Sequence, residues 1–138
     1  MEPRELTQAR IFLGDYDKDN RKSNRLKLGL YSLNNVIEGD YDPKYTKIAN
    51  NILRSYRNKI ISEANGLLLE YTTTTLFEVK HLENRILKFI EVGFDHDGEL
   101  SSLNGKLGEI VCKRECRLTT KELNEIMELL MELDHDDI

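Results

Sequence analysis

With only two cysteines and two prolines in 138 residues, the chain excludes several architectures at once. Cys112 and Cys116 stand four positions apart, neighbours on a helix rather than the framework of a disulfide-stapled secreted domain, so free thiols are expected. Pro3 and Pro43 mark no Pro-rich linker, and the length suits one domain, residues 1–138. No apolar run approaches the ~20 residues needed to cross a bilayer; the short stretch 66–69 meets Glu70. Residues 1–8 carry two acids and no apolar segment, unlike a secretory signal or an Arg-rich transit peptide. No membrane association is expected, and the cytoplasm is the expected compartment.

What is present is charge and helical periodicity. Charged residues reach 33% and hydrophobic ones 39%, a balance that suits an elongated or thin-cored helical protein. Mass scaling still permits a real core, with roughly 7,400 Å² left exposed after folding. Tyr45, Ile48, Ala49, Ile52, Leu53, Tyr56, Ile60, Ala64, Leu67 and Tyr71 fall on one side of a helix. Asp42 and Pro43 supply its start: the carboxylate accepts from free first-turn amides, and proline there loses no bond. Gly66 and the threonines at 72–75 weaken its end, placed near Tyr71.

Thr75 and Glu78 have capping-box spacing ahead of Leu76, Val79, Leu82, Ile86, Leu87, Phe89 and Ile90, with Gly93 as the stop. Thr119 and Glu122 repeat the box ahead of Leu123, Ile126, Met127, Leu130 and Leu133. Leu26, Leu30, Leu33, Val36 and Ile37 predict a helix closed by Gly39, and residues 5–13 another closed by Gly14. Residues 100–116 have helical spacing despite Gly105 and Gly108. Residues 67–79 have a short hairpin as their alternative. Gly-Asp-Tyr-Asp occurs at 14–17 and 39–42 and reads as recurrent turn chemistry between helices. The expected fold is all-α: a five- or six-helix bundle with a long antiparallel pair, about 43–71 and 75–92, crossed by a C-terminal helix, about 119–134.

Charge is unevenly spread. Residues 1–60 hold a net +4 and residues 61–138 a net −9, so the halves should attract, within one subunit or head to tail between two. The six tyrosines all lie in the first 71 residues, where a recognition surface is expected.

Catalytic and metal constellations are incomplete. Asp15, Asp17, Asp19 and Asn20 begin like a calcium loop, but Lys22 and Leu26 replace its aliphatic residue and its bidentate Glu. Cys112, Cys116, His81, His96 and His135 have no tetrahedral zinc spacing. No phosphate loop, nucleophile elbow or His-Glu-x-x-His string occurs. Glu125, Glu128 and Glu132 fall opposite the apolar side of the last helix and read as solvated surface. No cofactor, metal or catalytic residue is therefore expected, and a non-catalytic protein-interaction module is the favoured function.

A helix of ~29 residues spans about 43 Å, more than a compact domain of this size requires. Tyr45, Ile48, Ile52, Tyr56 and Ile60 are accordingly expected to serve as core or as a partner interface, with a homodimer as the expected assembly. The rival is nucleic-acid binding. Lys22 and Arg25 sit in a basic segment, and Lys47, Asn51, Arg54 and neighbouring Arg57 offer phosphate and base contacts. The pI near 5.3 and the acidic second half oppose it.

Overall fold

The structure is a computed structural model that describes residues 2–70 and 73–135, the last three as backbone. Among these residues it is all-helical, with α1 Arg4–Lys18, α2 Ser23–Glu38, α3 Pro43–Leu69, α4 Leu76–Val92, α5 Glu99–Glu115 and α6 Thr120–His135. The alternative hairpin at 67–79 is absent from its described part, where Leu76 already opens α4 as the capping box predicts. Tyr71, the expected end of α3, lies outside the described residues.

Local chemistry sets most boundaries. Asp42 accepts from the Lys44 amide at 3.0 Å, with Pro43 in the first turn of α3. Thr75 and Glu78 complete a reciprocal box at α4, and the Thr119 hydroxyl accepts from the Glu122 amide at 3.2 Å ahead of α6. Gly93 ends α4 at φ +94°, a left-handed conformation in which a Cβ would be strained.

Gly14 does not stop α1, which continues to Lys18 because a glycine with ordinary helical φ only weakens a helix that packing holds. The two Gly-Asp-Tyr-Asp strings consequently differ: residues 14–17 are helical and residues 39–42 form the α2–α3 connection. Identical tetrapeptides take different conformations because Leu13 and Tyr16 are buried around the first copy, whereas residues 39–42 are exposed. Gly105 and Gly108 are likewise absorbed inside α5.

The core has two hairpins. α1 packs most extensively on α2, and α4 on α5; α2 also packs on α4, so these two helices form the centre. Leu26, Leu30, Leu33, Val79, Leu82, Ile86, Phe89, Leu100 and Leu107 are its fully buried anchors, each excluding apolar surface from water. α3 lies mainly on α2, with narrower contacts to α5 and α4. The long pair therefore touches less broadly than a short connecting loop suggested, because the α3 stripe is laid chiefly on α2. The exposed surface is 8296 Å², above the mass-scaling expectation, and α6 accounts for part of the excess because none of its described side chains is buried.

The opposite charges of the two halves meet within the chain. Lys27 pairs with Glu91 at 3.0 Å, and Arg57 reaches Asp97 at 2.6 Å and Glu99 at 3.9 Å.

Candidate functional site

Polar groups converge where α1, α3 and α4 meet. Arg85 interrupts the Leu82–Ile86–Phe89 stripe of α4, which draws its guanidinium into the core. The guanidinium donates to the Tyr16 hydroxyl at 3.0 Å and to both carboxylate oxygens of Glu63, Oε2 at 3.0 Å. The Tyr16 and Tyr56 rings lie 6.3 Å apart, and the Tyr56 hydroxyl donates to Asp17 at 2.6 Å. A small cavity of about 190 Å³ adjoins these groups.

Burial pushes the Tyr16 hydroxyl pKa up, against the opposing pull of Arg85. Burial and then the bond to Asp17 push Tyr56 up as well. Burial pulls the Arg85 pKa down, but the bonds to Glu63 and the neighbouring groups outweigh that and raise it above its ordinary value. Through these bonds the cluster is a clamp that joins α1, α3 and α4.

A broader surface lies where the last turn of α3 meets α5. This open groove, about 1070 Å³, is lined by Leu68, Leu69 and Ile110 and by the cations Lys106, Lys113, Arg114 and Arg117, with Glu109 as the one carboxylate among them. Leu69 is 86% exposed, the most exposed of the large apolar side chains among the described residues. On α5, Lys106, Ile110 and Lys113 recur every three or four residues and so share one side, and Arg117 follows in the turn after the helix. Arg114 donates to the Thr74 carbonyl and fastens the α3–α4 connection to α5.

The third feature is α6. It rests on α2 and α4 through half-buried Leu123 and Ile126, while Met127, Leu129 and Met131 are 46%, 50% and 57% exposed. Lys80 donates to the Met127 sulfur at 3.7 Å and pairs with Glu115, anchoring one edge.

The expected partner stripe lies along the chain's own core. Ile60 is buried, whereas Tyr45, Ile48, Ile52 and Tyr56 are half-buried and packed at the core margin. The basic candidates separate. Lys47, Asn51 and Arg54 line one shallow concavity of about 650 Å³ beside Tyr41. Lys22 precedes α2, and Arg25 stacks 5.7 Å over the Phe12 ring, both outside that lining. Arg57 is held by Asp97 and Glu99. Tyr16 and Tyr56 belong to the clamp, leaving Tyr31 and Tyr41 as notably exposed tyrosines.

The acid candidates also separate. Asp15 and Asp17 are on α1, Asp17 bonds Tyr56, and Asp19 binds the Arg21 amide and guanidinium. Cys112 and Cys116 are exposed free thiols, and His81 is buried against Phe77. Among the described residues, no group of three or more His, Cys, Asp or Glu side chains is arranged to hold a metal ion, and no helix is long and apolar enough to cross a membrane. Glu125, Glu128 and Glu132 are exposed, as their helical positions dictate.

Sequence reasoning missed Arg85 with Glu63, and the basic side of α5. A charge inside an apolar helical stripe was the available signal for the first, and the spacing of Lys106, Lys113 and Arg117 for the second. Compared with known proteins, the chain matches no protein-family model, no curated protein and no solved structure.

Proposed function

We propose that this chain is a non-catalytic protein-interaction module of the cytoplasm that docks a partner through α6. One observation carries the reading: α6 is amphipathic, yet every one of its described side chains is at least partly exposed, including Met127, Leu129 and Met131. Helices α1 to α5 each bury apolar side chains fully or nearly so. An amphipathic helix so thinly covered is suited to helix-in-groove recognition, and methionines adapt their shape to a partner at little cost.

The test places a photo-crosslinking residue at Leu129 and, as a control, at Ile11, a similarly exposed apolar position on α1. Native-host extract should yield a discrete adduct from position 129 only. Equal labelling from both positions, or none from 129, would overturn the reading.

A second reading rests on Lys47, Asn51 and Arg54, which share a concavity with Tyr41: two cations for phosphate, an amide for base edges and an aromatic ring for stacking. Fluorescence polarisation with a single-stranded oligonucleotide at low salt tests it, and absence of binding removes it.

A further inference from the structure

Leu129 of α6 has Glu125 one turn before it and Glu132 one turn after it, and all three are exposed. Spacings of four and three put them on one side of the helix. An apolar anchor thus stands between two carboxylates. The α3–α5 groove has the inverse excess of charge: Lys106, Lys113 and Arg117 line it with Leu69 and Ile110, against the single carboxylate Glu109. None of these three cations is in an ion pair among the described residues.

The two surfaces belong to different parts of the chain: α6 packs on α2 and α4, whereas the groove is built by α3 and α5. We propose that the occupant of the groove is α6 of a second copy of this chain. Leu129 of one copy enters against Leu69 and Ile110 of the other, and Glu125 and Glu132 face the groove's cations. Charge complementarity selects this occupant. Every copy carries both halves of the contact, so a two-fold arrangement makes the contact twice and closes without leaving either surface open. The inference rests on α6 being the docking helix and names its partner.

Sedimentation velocity of the full chain tests it. A dimer is expected at about 0.1 M salt, weakened at least ~10-fold at about 1 M, where the screening length shrinks from about 10 Å to about 3 Å. Lys113→Glu with Arg117→Glu should give a monomer, as should Glu125→Lys with Glu132→Lys, each with helicity retained by circular dichroism. Mixed together, the two variants should associate, because reversed groove meets reversed helix at one contact and native groove meets native helix at the other.

Carbodiimide crosslinking of unaltered chains, half of them isotope-labelled, provides a check independent of folding in the variants: Glu125 or Glu132 should join Lys106 or Lys113 between copies. A monomer at low salt, a dimer indifferent to either reversal, or a mixture that fails to associate would overturn the inference. A monomer that still crosslinks a different protein from position 129 removes the second copy and leaves α6 as a docking helix; a monomer that crosslinks nothing removes both. A monomer whose groove takes an oligonucleotide in place of α6 also overturns it.

Discussion

Arg85 on α4 and Glu63 on α3 form a two-pronged ion pair whose cation side chain is 4% exposed and whose carboxylate side chain is 45% exposed. Truncating the acid strands a buried charge, whereas replacing both partners removes the charge and its desolvation together. Glu63→Leu is expected to cost about 3 kcal/mol, the lower end for a broken buried pair because water reaches the carboxylate side. Arg85→Met combined with Glu63→Leu should recover most of that loss. Urea denaturation of the four proteins in the cycle checks this, and additive single effects would show that the pair is not coupled.

Two helical glycines should respond oppositely to alanine. A Cβ on Gly29 would stand 2.6 Å from Leu13 Cγ and Cδ2, inside the α1–α2 contact, whereas one on Gly14 would meet nothing within 4 Å. Gly29→Ala is expected to destabilise by about 1–3 kcal/mol through overpacking, and Gly14→Ala to stabilise by roughly 0.5–1 kcal/mol through lower backbone entropy in the unfolded chain. Thermal melts of the two variants should therefore move in opposite directions.

Asp95 fastens the start of α5. Its carboxylate accepts from the Leu100 amide at 2.9 Å, the Ser101 amide at 3.0 Å and the Ser101 hydroxyl. Partial burial pushes its pKa up, but the Ser101 hydroxyl and the two amides together outweigh this and hold it below the usual carboxylate range. A folded pKa below the unfolded one gives stability that is complete above the unfolded value, near ~3.9, and is lost as pH falls through the folded value. Asp95→Ala should cost about 1 kcal/mol at neutral pH, as for a lost helix cap. The gap from the unaltered protein should narrow on acidification below that range. Denaturation measured at neutral and acidic pH checks this; a constant gap would contradict it.

Arg54 and Arg57, one turn apart, should have separable effects. Arg54 is exposed beside Lys47 and Asn51, whereas Arg57 ties α3 to the loop before α5 through Asp97. Arg57→Ala should lower the melting temperature and make it less sensitive to salt, because the lost pair is partly screened in any case. Arg54→Glu should leave stability nearly unchanged and weaken any oligonucleotide binding. If Arg57→Ala leaves the melting temperature untouched, the tie to Asp97 contributes nothing measurable.

Helix existence and most helix ends were legible in the sequence because their causes are local. The Asp42 cap, the Thr75–Glu78 and Thr119–Glu122 boxes and the Gly93 stop each involve groups a few residues apart. Gly14 misled for the complementary reason: a local penalty of about 1 kcal/mol yields to the burial of Leu13 and Tyr16 on either side. The tyrosine-rich first half predicted recognition, yet Tyr16 and Tyr56 are drawn into the clamp by Arg85 and Asp17, 69 and 39 residues away.

By itself, the order of residues determined five or six amphipathic segments, the N-terminal caps of α3, α4 and α6 and the opposition of charge between the halves, since hydrogen bonding within a turn and the periodicity of apolar side chains are short-range. Tertiary structure alone decided that α3 lies chiefly on α2, that Arg85 finds Glu63, that cations from α5 line a groove with leucines from the end of α3, and that α6 leaves Met127, Leu129 and Met131 exposed. Each of these depends on which faces pack together, and a repeat of three to four residues specifies the face of a helix without specifying what will cover it.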